Sequence, residues 1–264
     1  MIYIIERIRI LFKPRNKNIL FELIRAKVKV SDHSSILGVF WSLIGPLLPF
    51  AAMYMIFRER FGQEITAYPL YIFIGVVCVN FFMISTASLL KIFSGYRDIL
   101  LNSTVPVECL FLSELFIQLY KFLIEFSLCL ILSSVLHLFS LKLLILIFPL
   151  LLAFIGFVLG ISIILAVSFC FLKDIDHIWM IISRIFYFVT PIFYPMGSIS
   201  KLAQKTIYIV NPLTPFVLSF RSILINTEVF NINTYLLSLT WGVAAFVFGY
   251  LILLKFEHIA IEKS

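Results

Sequence analysis

Six long apolar runs constrain this chain more than any other feature of its sequence. Each contains about twenty mostly apolar residues, the length that a helix needs to cross the ~30 Å hydrocarbon core of a bilayer. Backbone in lipid must satisfy its own hydrogen bonds, so the runs predict helices, and the alternating segments of a membrane β-barrel do not occur. We therefore expect an all-α integral membrane protein with six transmembrane helices. The runs lie at 39–57, 69–92, 110–136, 143–171, 178–196 and 232–254.

The composition supports this class and excludes others. Of the 264 residues, 62% are hydrophobic and 13% are charged, whereas a soluble domain is about half apolar and about a quarter charged. This excludes an ordinary soluble enzyme, a disordered chain and a secreted disulfide scaffold. The four cysteines lie far apart in apolar runs, which is typical of buried side chains rather than of disulfides or metal ligands. We predict a single transmembrane domain over 1–264, with no metal site.

The positive charges indicate the orientation of the chain. Fourteen Lys and Arg residues, counting Arg184 of the fifth span, fall on the side of the six spans that holds both termini, and six fall on the other side. Cytoplasmic loops carry such an excess, so we expect both termini in the cytoplasm. The net charge of +7 then suits an anionic membrane surface rather than nucleic acid. The predicted parts are a cytoplasmic or interfacial N-terminal segment, the first five spans, an external hairpin, and the sixth span with a cytoplasmic tail, at 1–38, 39–196, 197–231 and 232–264.

The N-terminal segment contains an amphipathic pattern. Glu22, Arg25 and Lys29 fall at i, i+3 and i+7, on one face of a helix over 19–30, and apolar side chains occupy the rest. This predicts a helix lying in the cytoplasmic interface of the membrane. The alternative is a solvated helix that packs on a partner.

The segment 197–231 interrupts the pattern of long spans. Its two apolar helical runs, 199–210 and 213–225, are separated by Asn211-Pro212 and are each too short to cross the bilayer. Two short helices around a proline turn suggest a re-entrant helical hairpin that dips into the membrane from outside, before the last span. The alternative is a plain external loop with interfacial helices.

A polar stripe marks the third span. Glu114, Gln118, Lys121 and Glu125 fall at i, i+4, i+7 and i+11, on a single helical face. An ionised side chain at the bilayer centre costs about 2.5–3.5 kcal/mol on insertion scales, so the stripe should face protein or water rather than lipid. It predicts either the wall of a pathway or a structural ion pair, in which Lys121 and Glu125 pair across one turn.

No motif of a catalytic or energy-converting site occurs. The sequence has no G-x-x-x-x-G-K-[ST], no G-x-S-x-G and no H-E-x-x-H, so we expect neither nucleotide hydrolysis nor hydrolase chemistry in this chain. The one dense ionisable cluster, Lys173-Asp174-Ile175-Asp176-His177, is better explained as a solvated helix cap than as a metal or acid–base site.

Two further features suggest roles in transport. The loop 94–107 is long enough for a short helix parallel to the membrane, as a mechanical coupling element requires. Aromatic faces stack on sugars, so aromatic residues of the first and fifth spans are candidates for the wall of a glycan pathway. These residues are Trp41, Phe50, Tyr54, Phe186, Tyr187, Phe193 and Tyr194.

Four motifs, in order and correctly spaced, resemble signatures of the ATP-binding-cassette exporter permeases that move polysaccharides and lipid-linked O-antigens. The resemblance covers nearly the whole chain, and its one departure is Lys173 where that family has arginine. The motifs are Leu37-Gly38-x-x-Trp41-x-x-x-x-Pro46, Lys173-Asp174-Ile175, Thr190-Pro191-Ile192-Phe193-Tyr194-Pro195, and Asn211-Pro212-Leu213 followed by Arg221.

The resemblance implies a multi-pass half-transporter of the bacterial inner membrane. A second copy would complete the pore, and two separate nucleotide-binding ATPase subunits would bind ATP and Mg, so this chain would hold no cofactor and would not be an enzyme. The loop 94–107, through Tyr96, Arg97 and Asp98, and the N-terminal helix would dock those subunits. The cargo would be an undecaprenyl-diphosphate-linked glycan, whose diphosphate Arg25, Lys27 and Lys29 would attract near the membrane lipid.

Two other functions stay open at this point. One is a permease of the same family for another cargo, such as a capsule polymer, teichoic acid, a drug or a lipid. The other is a membrane enzyme acting on lipid-linked sugars, which would have to use the cluster at Asp174–His177.

Overall fold

The computed structural model describes residues 13–33, 38–63, 65–138, 141–225 and 229–263, with side chains outside 30–43 and 141–142. All regular structure in these ranges is helical, apart from turns. The α-helices are α1 Pro14–His33, α2 Gly38–Phe61, α3 Tyr68–Leu90, α4 Ile92–Gly95, α5 Arg97–Asn102, α6 Val107–Val135, α7 Leu141–Leu144, α8 Ile147–Phe171, α9 Ile175–Val189, α10 Lys201–Val210, α11 Leu213–Leu224 and α12 Ile232–Lys263.

Four helices in the described part of the chain are long and apolar enough to cross a membrane, namely α3, α6, α8 and α12. The all-helical membrane class is therefore confirmed. Helix α2 covers the first predicted span with 24 residues, but its side chains are described only from Ile44 onward. The total of six crossings stays a prediction.

The fifth predicted span, 178–196, is helical only as far as Val189. Pro191 has no backbone N–H and disfavours helical geometry at the residue before it, so Thr190 is extended and α9 ends there. Helix α9 has 15 residues, which is about 22 Å at 1.5 Å per residue and less than the hydrocarbon core requires. Beyond the end of α9, residues 191–194 continue the chain without helical hydrogen bonds.

Helices α8 and α12 pack closely through glycines. A Cβ atom at Gly160 would overlap the backbone of Ala245 and Phe246, and Cβ atoms at Gly242 and Gly249 would overlap the backbone of α8. Small residues permit such an approach between membrane helices, where the driving force is close packing. Gly156, the other member of the G-x-x-x-G motif, has only ordinary contact distances at this position.

The core lies around α3 and α11. Helix α3 is buried along most of its length, and α11 is buried on nearly every side. Phenylalanine rings fill the space between them and α6 and α8: Phe154 lies 5.0 Å from Phe216, and Phe126 lies 5.3 Å from Phe220, measured between ring centroids. The two short helical runs predicted around Asn211-Pro212 are present as α10 and α11, bent by 105°.

Candidate functional site

An extended segment, Thr190–Pro195, connects α9 to the short helices and forms a polar site in the described part of the chain. The carbonyl groups of residues 191–194 have no helical partners, and side chains of α3 and α11 bind them. Arg221 of α11 supplies two donors: Nη1 binds the carbonyl oxygen of Pro191 and Nη2 that of Ile192, both at 2.6 Å. Its Nε binds the carbonyl oxygen of Tyr71 on α3 at 2.9 Å. Arg221 thereby ties the segment to α3.

Two tyrosines of α3 satisfy the next two carbonyls. The hydroxyl of Tyr68 donates to the carbonyl oxygen of Phe193 at 2.8 Å, and that of Tyr71 donates to the carbonyl oxygen of Tyr194 at 3.2 Å. The guanidinium of Arg221, which is 1% exposed, lies 3.4 Å from the ring centroid of Tyr71. Arginine over an aromatic face adds a cation–π attraction that is strongest where water is excluded.

Asn211 joins this arrangement to the proline turn. Its Nδ2 donates to Oγ1 of Thr190 at 2.8 Å, while its Oδ1 accepts from the backbone N–H of Leu213, the first residue of α11, at 3.0 Å. Gly75 of α3 leaves room for the guanidinium, because a Cβ atom there would lie 2.7 Å from Nη2 of Arg221. We call this set, formed by Tyr68, Tyr71, Thr190–Tyr194, Asn211 and Arg221, the latch.

The latch explains how non-helical backbone is kept in an apolar environment. Unsatisfied backbone groups are costly there, and they are tolerated when protein groups bind them. Two of the motifs in the sequence, Thr190–Pro195 and Asn211-Pro212-Leu213 with Arg221, thus contact each other directly. The sequence pattern gives the spacing of these two motifs. It does not indicate that Tyr68 and Tyr71 bind the first of them.

The predicted pathway aromatics whose side chains are described mostly contact other side chains of this chain. Phe50 contacts Phe73 at 5.4 Å and Tyr54 contacts Tyr68 at 6.2 Å between ring centroids, so both lie between α2 and α3. Phe193 stacks on Phe57 at 4.7 Å. Their role in a pathway stays a prediction.

The remaining predicted aromatics are also partly enclosed. Phe186 packs on Phe82, and the hydroxyl of Tyr194 donates to the carbonyl oxygen of Val189 at 3.0 Å. The hydroxyl of Tyr187 is buried without a hydrogen-bond partner among the described residues. The side chain of Trp41 lies outside the described residues.

The polar stripe of α6 lies beside other helices, and its role in a pathway stays a prediction. Gln118, Lys121 and Glu125 line a cavity of about 160 Å³ that also includes Asn80 of α3 and Gly45 and Pro46 within α2. Glu125 is 7% exposed. The expected ion pair between Lys121 and Glu125 is not formed within 4 Å in the described structure. The cavity places polar groups of α6 beside α2, which is the arrangement a polar pathway wall would need.

The fourth member of the stripe, Glu114, pairs with the N-terminal helix. Its Oε2 lies 2.6 Å from Nζ of Lys27, and the two side chains are 22% and 15% exposed. The ammonium of Lys27 also lies 4.8 Å from the ring centroid of Tyr96. Helix α1 therefore packs on α6 and contacts the 94–107 loop. Of the predicted lipid-diphosphate contacts, Arg25 and Lys29 are exposed, whereas Lys27 is engaged in this ion pair.

The loop 94–107 contains a short exposed helix, and its orientation parallel to the membrane and its docking role stay predictions. Helix α5, Arg97–Asn102, buries none of its residues. Arg97 and Asp98 point to solvent, and Ile99 and Leu101 are 38% and 51% exposed. A mixed polar and apolar surface of this kind suits a contact with another protein.

The cluster at Lys173–His177 has a structural partner. Oδ2 of Asp176 lies 2.6 Å from Nζ of Lys91, joining the first turn of α9 to the end of α3. Nearby, Nε1 of Trp179 donates to Oγ1 of Thr86 at 3.0 Å. Within the described ranges, no group of three or more His, Cys, Asp or Glu side chains is placed to hold a metal ion.

Comparisons with known proteins agree with the resemblance drawn from the motifs. The chain is 24% identical over 220 residues to the O-antigen export system permease protein RfbA of Myxococcus xanthus, covering 83% of this chain and 84% of the relative. It is 27% identical over 223 residues to a protein of the same name from Klebsiella pneumoniae, covering 80% and 83% of the two chains. No family model matches the chain. The resemblance to the permeases of O-antigen exporters is thereby confirmed.

Proposed function

We propose that this chain is the membrane-embedded permease subunit of an ATP-driven exporter, and that it moves a lipid-linked polysaccharide of the O-antigen type across the inner membrane to the outer side. Two copies form the pathway, and two ATPase subunits bind at the cytoplasmic face, where both termini also lie. The observation that carries the proposal is the similarity to permeases named for O-antigen export, which extends over at least 80% of this chain.

The fold supports a transporter rather than an enzyme. Its long helices suit a multi-pass inner-membrane protein, and the sequence lacks a phosphate-binding loop for nucleotides. The energy for transport must then come from a partner. An ATPase subunit with its own ATP and Mg is the partner that a permease of this family implies.

The cytoplasmic contacts suggest how movement of the partner reaches the spans. Helix α5 offers the exposed docking surface around Arg97 and Asp98, with Tyr96 at its start. Tyr96 contacts Lys27, which is bound to Glu114 in α6. A displacement of α5 by the ATPase subunit thereby moves α1, the N-terminal helix, and α6, the third span, together. The proposed result is a shift of the spans that opens a conduit between two copies.

On the outer side, the latch supports the proposed re-entrant hairpin. Helix α11 is enclosed by α3, α6, α8 and α12, and its Arg221 fixes the end of the fifth span. A hairpin held in this way gives the outer half of the pathway a defined wall. The glycan would then pass along aromatic side chains of α2 and α9.

The proposed cargo follows from the relatives, which are named for O-antigen export. A permease for a capsule polymer or teichoic acid is the second candidate, and it would use the same fold. The enzyme alternative loses support because Asp176, the central acid of its cluster, is in an ion pair with Lys91.

The test is reconstitution with a candidate ATPase encoded beside a set of glycan-synthesis genes. The two proteins should co-purify in equal amounts, and ATP hydrolysis should require both. Cells lacking this chain should accumulate lipid-linked glycan inside and lose it from their surface. Transport by the isolated chain without an ATPase, or normal surface glycan in the deletion strain, would refute the proposal.

A further inference from the structure

One face of α9 combines large apolar side chains with a guanidinium. His177, Ile181, Arg184 and Phe188 fall at i, i+4, i+7 and i+11, so they form one stripe along the helix. All four are exposed, Ile181 and Phe188 at 61% each. The helix buries only Trp179 and Ser183, on a different face. We call these four residues the α9 stripe.

Arg184 lies deep along this helix. The ion pair of Asp176 with Lys91 and the charged residues before it place the start of α9 at the aqueous interface. Arg184 follows eight residues later, about 12 Å along the axis at 1.5 Å per residue, and half the hydrocarbon core is about 15 Å. With α9 crossing the bilayer as proposed, the α-carbon of Arg184 lies about 12 Å inside the interface, within the hydrocarbon core.

Arg184 and Arg221 differ in the partners that their guanidinium groups have among the described residues. Arg221 directs all three of its side-chain nitrogens at backbone carbonyls of the protein. Arg184 has no hydrogen bond or ion pair to any residue that the structure describes. An unpaired guanidinium at this depth is costly against lipid, and such residues face a water-filled cavity or a partner.

We infer that the α9 stripe faces a water-filled passage and that Arg184 is the contact in this passage for a phosphate-bearing headgroup of the cargo. The inference rests on the proposed function and deepens it. A guanidinium binds phosphate through two parallel N–H donors, and Ile181 and Phe188 offer apolar surface on either side of it. In a symmetric pair of copies whose α9 stripes line one passage, each copy adds one Arg184 to it, and this positive charge favours hydration and a bound anion.

The passage is tested by cysteine modification in the assembled transporter, in lipid nanodiscs. The Ile181→Cys variant keeps Arg184 and places a thiol one turn away. Its thiol should react with water-soluble methanethiosulfonates. Each reaction rate is divided by the rate of the same reagent with a free thiol, and this relative rate should be at least threefold higher for the anionic reagent than for the cationic one. Adding Arg184→Gln should abolish that preference. Val243→Cys on α12, also 61% exposed, is the matched control and should stay unreactive. The four native cysteines are buried and set the baseline.

The outcomes separate this inference from the proposed function, because modification requires no cargo. Reaction of Ile181→Cys no faster than that of Val243→Cys would overturn the passage, and equal rates with both reagents would overturn the role of Arg184.

Inorganic pyrophosphate at millimolar concentration should slow modification of Ile181→Cys severalfold, and only when Arg184 is present. If anionic phospholipid in the nanodisc gives the same protection without pyrophosphate, the occupant is a bilayer lipid and the assignment to cargo is wrong. Arg184→Gln should also lower export at least tenfold, with partial recovery in Arg184→Lys.

Discussion

Arg221 provides the sharpest test of the latch, because one side chain satisfies several backbone groups. Replacing it with Met keeps much of its apolar stem and removes every donor. The carbonyls of Pro191 and Ile192 then lose the donors that bind them in the described structure. A buried polar group left unsatisfied costs about 1–3 kcal/mol, so we expect Arg221→Met to lower the free energy of unfolding by about 2–6 kcal/mol.

A matched series makes this magnitude testable. Tyr71→Phe removes only the hydroxyl that binds the carbonyl oxygen of Tyr194, and it keeps the ring beside the guanidinium. It should cost about 1–3 kcal/mol, since one carbonyl rather than two is left bare. Arg221→Lys keeps the charge but lacks the planar set of donors, so it should fall between the two variants.

The assay is reversible unfolding in mixed micelles, followed by tryptophan fluorescence; the chain has three tryptophans, and Trp179 is buried near α3. Hydrogen exchange of the Phe193 and Tyr194 amides gives a local readout of the same segment. If Arg221→Met unfolds at the same denaturant concentration as Tyr71→Phe, and exchange at 193–194 is unchanged, the latch does not stabilise the fold in the way its hydrogen bonds indicate.

Three further predictions follow from the packing and the charges. Gly160→Ala should destabilise the protein by about 1–3 kcal/mol because a methyl group there meets the backbone of α12. Gly156→Ala should be neutral or stabilising by up to about 1 kcal/mol. Equal thermal shifts for the two variants would contradict the close approach of α8 and α12. Lys27→Glu should lower the free energy of unfolding by about 1–3 kcal/mol, a value between those of exposed and buried ion pairs. The double variant Lys27→Glu with Glu114→Lys should recover most of this loss. No recovery in a thermal-shift measurement would mean that the pair is not coupled. Arg97→Glu with Asp98→Lys should reduce co-purification of the ATPase subunit at least tenfold. The stability should stay within about 0.5 kcal/mol of the parent, since α5 buries no residue. Unchanged co-purification would place the docking surface elsewhere.

The helices could be predicted from the sequence because a long apolar run in lipid must satisfy its own backbone hydrogen bonds, and a helix does so. The break at Thr190-Pro191 was present in the sequence as well, but the apolar run extends past it to 196, and run length alone predicts a longer helix. The local effect of proline on backbone geometry decides the outcome there.

The partners of polar side chains were harder to predict, because they come from distant parts of the chain. Lys121 and Glu125 are four residues apart, which favours a pair within the helix, yet the ion pair of the stripe joins Glu114 to Lys27 of the N-terminal helix. Arg221 binds Tyr71, 150 positions earlier in the chain. Sequence spacing gives the face on which a residue lies, and only the packing of helices decides what it meets.

The last helix is longer than a membrane is thick. With 32 residues, α12 measures about 48 Å, against a hydrocarbon core of about 30 Å, and it is meshed with α8 at its glycines. Its last turns are also packed, since Glu257 and Ala260 are buried there. A spin label or fluorophore at that end would therefore report movements of the helices that it packs against, in real time during turnover.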